Sequence, residues 1–341
     1  MREPMKMFMA DLNWALLDVP QRQNLPSMAN DFAFLDPREY FEWHREFGNN
    51  VQFMQAYTFC GYAFYPTKLG PVAPGPGREI LPRMYELSRA AGMPFCSYFC
   101  VGADMTVNNQ RNPWIVPGSR SIDWYGYLAP ESPWTDLLCD RIQELLESYP
   151  VDWLLFDWFA CGSLKPTFAV QPAWFVEKPF REIIGRPLPE RAADITPAES
   201  LRYKREVLAR QFYRIRDTVR RASPATKILF NVPYWEPEED LWVGHPMLNE
   251  SDALIAESTD PRVLEWLLSI RRPGQGVWTT VIGRPDGVCD PDTWRRWYDA
   301  GCDFCGYAWG TPPDWHPHPS YAKGLDIVRN AFREMKERRV P

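Results

Sequence analysis

The sequence predicts a single (β/α)8 barrel spanning 1–341, and three observations carry the prediction. Short apolar runs alternate with longer amphipathic runs along the whole chain, the apolar runs number eight, and each is continuously hydrophobic rather than alternating. Continuous apolar strands belong to a parallel sheet buried on both faces. Eight of them in alternation with nearly eight helices fit a closed barrel. The 341 residues exceed the roughly 250 typical of this fold and leave room for insertions. A doubly wound sheet would show a Gly-rich phosphate turn after the first strand, and Asp11-Leu12-Asn13-Trp14 is no such turn.

The first strand is expected over Met7 to Trp14. Asp36 caps the first helix, Pro37 occupies its first turn and Gly48 ends it. Val51 to Tyr57 is the second strand, followed by a helix from about Glu79 to Ala91 that stops at Gly92. Strand three is Pro94 to Val101, helix three Pro133 to Ser148, and strand four Val151 to Phe159. A long helix over Pro197 to Arg221 precedes strand five, Lys227 to Tyr234. Glu238 to His245 offers only a turn or two of helix before strand six, Ala253 to Ser258. Asp260-Pro261 opens the next helix, Val277 to Ile282 is strand seven, and Asp290-Pro291 opens a helix ending at Gly301. Strand eight is Asp303 to Trp309, and a last helix covers Tyr321 to Arg338.

Two connections are long: Ala103 to Ser132 after strand three, and Ala160 to Thr196 after strand four. Both follow strand C-terminal ends, where barrel active sites are built. Long loops there are usually functional covers. The second, rich in Pro and aromatic residues (Pro166, Phe168, Trp174, Phe175, Phe180), would also serve as a homo-oligomer contact.

Composition removes several function classes. The hydrophobic share of 45% and charged share of 24% are those of a globular protein. A net charge of −6 without a basic block argues against nucleic acid as a partner. No apolar run is long enough for a membrane helix. The start Met1-Arg2-Glu3-Pro4-Met5-Lys6 lacks signal-peptide character, and the eight cysteines sit mostly in apolar strand-like runs, so a cytoplasmic setting is expected. Cys302-x-x-Cys305 is a poor chelate, since strand positions three apart face opposite ways. His44 reads as a helix-surface or packing residue. His316-Pro317-His318, with Asp314 nearby, reads as a loop by the mouth rather than a metal centre. Neither metal nor cofactor is expected. A Gly-x-Ser-x-Gly elbow is missing, and strand ends carry too few acidic or His ligands for a metal-dependent isomerase.

Polar residues at strand C-terminal ends point into a barrel mouth. By strand they are Asp11 and Asn13, Gln55 and Tyr57, Asp104, Asp157, Asn231, Glu257, Arg284 and Trp309. Asp157 and Glu257 stand out because each ends an apolar run, where an ionised carboxylate is costly without partners. Such a cost is borne most readily at a functional site, although a carboxylate bonded to backbone amides or to Arg is the ordinary alternative. Two at one end of one barrel favour a catalytic pair. Glycoside hydrolysis needs such a pair, and in retaining enzymes the carboxyl groups stand about 5–5.5 Å apart. Glu236, with Glu238 and Glu239, is the runner-up for the acid. The 16 tryptophans raise the prospect of carbohydrate stacking, with Trp14, Trp158 and Trp309 as candidate faces, although many must be core.

Gly61-Tyr62-Ala63-Phe64-Tyr65-Pro66-Thr67-Lys68, then Leu81 to Gly92 and Pro94 to Tyr98, resemble the second and third strand units of fucosidase-like glycoside hydrolase barrels. The resemblance is closer still to a bacterial group of hypothetical glycosyl hydrolases related to them. Val151-Asp152-Trp153-Leu154-Leu155-Phe156-Asp157 is similar to the family's fourth strand, whose last Asp is the nucleophile; that implies Asp157 here. The similarity reaches from about Met7 to Phe159. The family's histidines after the first two strands are absent, Asn13-Trp14 and Tyr57-Thr58-Phe59-Cys60-Gly61 standing in those regions, which argues against fucose. Glu257 as acid/base rests on the strand count, with support by analogy from other retaining barrels.

The expectation is therefore a retaining, exo-acting glycosidase with a carbohydrate substrate. Asp157 attacks, Glu257 is acid then base, and Asp11, Asn13, Tyr57, Asp104 and Asn231 hold sugar hydroxyls. A barrel that binds or otherwise modifies sugar without hydrolysis is the alternative, and a carboxyl separation well above ~10 Å would favour it.

Overall fold

A computed structural model describes residues 3–13, 36–109, 114–116, 127–159, 170–232, 239–258, 260–282, 291–309 and 319–337. Eight strands form one sheet: β1 (Lys6–Asp11), β2 (Gln52–Tyr57), β3 (Phe95–Cys100), β4 (Trp153–Asp157), β5 (Lys227–Asn231), β6 (Ala253–Ala256), β7 (Gly276–Ile282) and β8 (Asp303–Trp309). Their order is β1-β8-β7-β6-β5-β4-β3-β2 and every pairing is parallel. The result is the expected (β/α)8 barrel, nearly closed.

The seam lies between β1 and β2. Lys6 O accepts from both Asn50 N and Val51 N at 3.0 Å. Asn50 Oδ1 accepts from Lys6 N at 2.6 Å, and Gln55 Oε1 accepts from Leu12 N at 2.9 Å. Side chains therefore do at this seam part of what a backbone ladder does elsewhere.

The helices are α1 (Pro37–Phe47), α2 (Ile80–Ala90), α3 (Met105–Asn109), α4 (Trp134–Ser148), α5 (Trp174–Ile184), α6 (Pro197–Ala222), α7 (Glu239–Trp242), α8 (Pro246–Glu250), α9 (Pro261–Ile270), α10 (Pro291–Asp299) and α11 (Pro319–Glu337). Their starts follow local chemistry. Asp36 accepts from Arg38 N and Glu39 N ahead of Pro37, Asp260 does the same for Arg262 N, and Thr196 with Glu199 forms a capping box. At the other end of α1, Gly48 takes φ 110°. A Cβ there would stand 3.1 Å from Phe332 Cβ.

Alternation along each strand divides the core into two layers. Met7, Met9, Phe53, Cys96, Tyr98, Trp153, Leu155, Leu229, Ile255, Trp278 and Cys305 fill the barrel interior. Phe8, Ala10, Met54, Phe99, Leu154, Phe156, Phe230, Leu254 and Phe304 face the helices. Cys302 falls in the outer layer and Cys305 in the inner, so the two face apart as the strand period requires. A third cluster, Phe175, Val176, Phe180 and Ile183 of α5 against Tyr203 and Val207 of α6, packs the insertion after β4 onto the barrel. That insertion holds a helix the sequence hid behind Pro179.

The strands end earlier than their apolar runs. β4 stops at Asp157 because Trp158 takes φ 63°, the left-handed region, although Trp158 and Phe159 remain apolar. β5 and β6 stop at Asn231 and Ala256. Among its described residues the β5–β6 connection has only the two short helices α7 and α8, in keeping with its weak periodicity. His44 packs inside α1, where burial holds its imidazole down to about 3 against the raising effect of its Gln52 hydrogen bond.

Candidate active site

Asp157, Asn231 and Glu257 come from adjacent strands and meet at the C-terminal end of the barrel. Asp157 is the last residue of β4, Asn231 the last of β5, and Glu257 follows β6 directly. In the parallel register Asn231 stands opposite Ile255, two residues before Glu257, and follows the Phe156–Phe230 pair that precedes Asp157. Asp157 Oδ1 accepts from Trp158 N at 2.7 Å and from Asn231 Nδ2 at 2.8 Å. Asp157 Oδ2 accepts from the Tyr98 hydroxyl at 2.9 Å. The same Asn231 nitrogen donates to Glu257 Oε1 at 3.2 Å. Two oxygens that share one donor at 2.8 and 3.2 Å lie no more than 6.0 Å apart, the sum of those bonds. That is far below the separation that would set the pair aside. For this pair of oxygens the bound admits the roughly 5–5.5 Å spacing of retaining glycosidases.

A chain of hydrogen bonds runs from the barrel seam to this pair. Phe59 N donates to Asn13 Oδ1 at 2.8 Å, and Asn13 Nδ2 donates to the Tyr98 hydroxyl at 3.1 Å. The Tyr98 hydroxyl in turn donates a hydrogen bond to Asp157. Asn13 therefore reaches the site, as a support for Tyr98. Tyr98 was absent from the sequence-derived candidates. The signal available was its hydroxyl inside an otherwise apolar strand, on the inward face with Cys96 and Cys100. A buried phenol almost always has a partner, and here the partner is the site itself.

Trp158 shapes the wall beside Asp157. Among the described residues it is the one non-glycine with positive φ. Such a backbone costs on the order of 1–3 kcal/mol and persists where surroundings enforce it. Part of the enforcement comes from Gly102: a Cβ at that position would stand 2.1 Å from the Trp158 carbonyl oxygen, so only glycine admits the turn. The indole stacks on Phe59 (5.0 Å, 28°) and lies 6.1 Å from the Tyr127 ring. One face is thus taken by Phe59, so a sugar stacking on Trp158 would have to use the other.

Beneath Glu257, the Cys305 thiol is pushed well above its ordinary value, first by burial, then by the charges of Glu257 and Cys96. It is inert packing at the floor of the site.

Two predicted hydroxyl holders do not join the pair. A bulge between Gln55 and Tyr57 brings Tyr57, rather than Ala56, opposite Phe99 of the outer layer. The Tyr57 side chain consequently leaves the barrel interior. Its ring stacks on Phe99 and lies 4.2 Å under the Arg141 guanidinium, and its hydroxyl donates to Thr67 Oγ1 at 3.0 Å. Asp104 is buried and bonded to Arg141 at 2.7 Å, while its other oxygen accepts from Thr106 Oγ1 and Val107 N. It is a structural carboxylate paired with Arg141 rather than a holder of sugar hydroxyls. Gln55 is spent on the seam.

Asp11 and Trp309 pair in register at the rim, so their backbones end β1 and β8 at the mouth. Their side chains lie outside the described residues, as do Trp14, Glu236, Arg284, Asp314, His316 and His318 and the Glu238 and Glu239 side chains. Among the described residues no three His, Cys, Asp or Glu side chains cluster as a metal site would require.

No protein-family profile matches the chain, and no curated protein sequence is significantly similar to it. Solved structures are similar in fold. α-L-Fucosidase isoenzyme 2 from Paenibacillus thiaminolyticus superimposes with a TM-score of 0.69 over 98% of this chain at 15% identity. This chain spans about half (49%) of that protein's length. An α-L-fucosidase from Lactobacillus casei, solved with its α-L-fucose product, gives 0.52 at 14% identity, covering 97% of this chain and 96% of its own. The Thermotoga maritima α-fucosidase gives 0.52 at 12% identity, covering 98% and 73%. In fold, the chain is a fucosidase-like (β/α)8 barrel.

Proposed function

We propose that the protein is a retaining glycoside hydrolase acting on a small glycoside or the end of an oligosaccharide. The observation that carries the reading is the carboxylate pair bridged by one amide nitrogen at the C-terminal end of a fucosidase-like barrel. In the first step Asp157 attacks the anomeric carbon while Glu257 protonates the departing glycosidic oxygen. In the second, Glu257 takes a proton from water, and the water oxygen displaces the Asp157 carboxylate from the sugar.

The surroundings suit those roles. Asp157 must be ionised, and the Tyr98 hydroxyl, the Trp158 amide and the Asn231 amide all donate to it. Glu257 must begin protonated, and a second charge so close to Asp157 is disfavoured. Trp158, stacked with Phe59 and near Tyr127, puts an apolar wall beside the nucleophile. The reading keeps the cytoplasmic setting expected from the sequence, in accord with six described cysteines outside any disulfide.

The test is a panel of 4-nitrophenyl glycosides in both anomeric series, with α-L-fucoside included because of the fold and other sugars because of the missing histidines. Cleavage with the first-formed sugar retaining the substrate's anomeric configuration by NMR supports the reading. Cleavage with inversion, or sugar binding without release of nitrophenol, overturns it.

A further inference from the structure

Asn231 is a buried carboxamide with an unusual set of partners. Its two described side-chain hydrogen bonds both go to carboxylates, Asp157 at 2.8 Å and Glu257 at 3.2 Å, and both leave from the same nitrogen. Its amide oxygen is buried and has no hydrogen-bond partner among the described residues. A structural asparagine in a barrel is expected to satisfy backbone groups with both ends of its amide. This one does not, and swapping the amide's ends would set an oxygen against two carboxylates. The side chain is therefore oriented by the pair it bridges.

An NH2 group carries two protons in a fixed plane, which is one for each carboxylate. It can hold both without choosing between their charge states, because a protonated glutamic acid still offers its carbonyl oxygen as acceptor. A cation in the same place would neutralise the nucleophile and hold both groups ionised. A hydroxyl, with a single proton, would serve one of them.

We propose that Asn231 is a positioning residue that sets the spacing of Asp157 and Glu257 through one amide nitrogen. The inference rests on the glycosidase reading for its purpose and on the hydrogen bonds for its geometry. Among the described residues, the titratable groups that face the pair are the Tyr98 phenol from β3 on Asp157 and the Cys305 thiol from β8 by Glu257. No described hydrogen bond links either to Asn231, so both persist in a variant.

The experiment compares the wild type with Asn231→Ala and, should that variant fold poorly, Asn231→Ser. Carboxyl 13C NMR of Asp- and Glu-labelled protein reads both titrations, assigned with Asp157→Asn and Glu257→Gln. Losing a donor to a charged carboxylate raises the pH at which it titrates, so both carboxyls should move up by about one pH unit. With the best 4-nitrophenyl glycoside of the panel, kcat should fall about 100-fold with KM changed less than threefold, and both limbs of the kcat/KM profile should move to higher pH. In Asn231→Ser one carboxyl should move and the other stay closer to wild type. Carboxyl titrations that stay in place in a folded variant overturn the proposal. So does a loss confined to KM. If the wild type cleaves nothing in the panel, the glycosidase reading fails while the NMR titration still decides the clamp.

Discussion

Asp104 and Asp157 stand beyond or at the ends of neighbouring strands, and the chain treats them in opposite ways. Asp104 is fully enclosed, paired with the equally buried Arg141, and its second oxygen is taken by α3. Arg141 in turn lies over Tyr57 and donates to the Leu69 carbonyl. Asp157 is half-buried, and its described bonds come from neutral donors: a phenol, a main-chain amide and a carboxamide. A carboxylate matched by a guanidinium has spent its charge on the fold. The neutral donors described at Asp157 orient its carboxylate without themselves adding a countercharge. A strand-end carboxylate is thus read by its partners, and both outcomes occur within one barrel.

The largest effect that can break this contrast is catalytic. Asp157→Asn should lower hydrolysis of the best aryl glycoside by about 10⁴-fold or more, with a melting temperature near wild type. Activity close to wild type would place the chemistry elsewhere.

The opposite behaviour is expected at the other carboxylate. Arg141→Met leaves Asp104 buried without its cation and should cost about 3–5 kcal/mol in urea unfolding, with kcat per folded molecule little changed. Adding Asp104→Asn should recover part of the loss.

Gly102→Ala probes the wall between the two regions. Its new Cβ meets the Trp158 carbonyl and must displace the turn that follows Asp157. A stability loss of about 1–3 kcal/mol is expected, with a fall in kcat beyond what that loss explains.

The smallest effect lies in the acid response away from the site. His44 and His245 are held down to about 3 and about 4, mainly by burial, so both fold neutral. The unfolded chain protonates them near 6.5, so their contribution to stability is full above that pH and falls as pH drops toward the folded values. Near pH 5, His44 should account for on the order of 1–2 kcal/mol of that loss. His44→Gln should flatten the slope of stability against pH between 6.5 and 5 without moving the activity profile.

Much of the barrel was legible because each strand is a bounded apolar run and several helices begin at Asp-Pro or Thr-Pro. The runs overshot the strands where apolarity outlasts pairing: Trp158 and Phe159 pack as loop residues, and only the backbone angle of Trp158 ends β4. Asp157, Asn231 and Glu257 were legible as polar ends of apolar runs, and the register of β4, β5 and β6 brings them together. Tyr57 was misplaced because a bulge shifts the alternation on which its inward position depended. Asp104 was misplaced because its partner, Arg141, is 37 residues away on α4, and no local pattern announces that pairing. Tyr98 escaped because a phenol inside an apolar strand looks like core until its hydroxyl is traced to Asp157.

The most direct test of the account is covalent trapping. The protein would be incubated with the activated 2-deoxy-2-fluoro analogue of the glycoside it cleaves best, then digested and read by mass spectrometry. The account predicts one sugar added per chain, on the peptide containing Trp153-Leu154-Leu155-Phe156-Asp157, with fragmentation assigning the ester to Asp157. A sugar attached to another residue, or an active protein that turns over this reagent with no adduct, would contradict it.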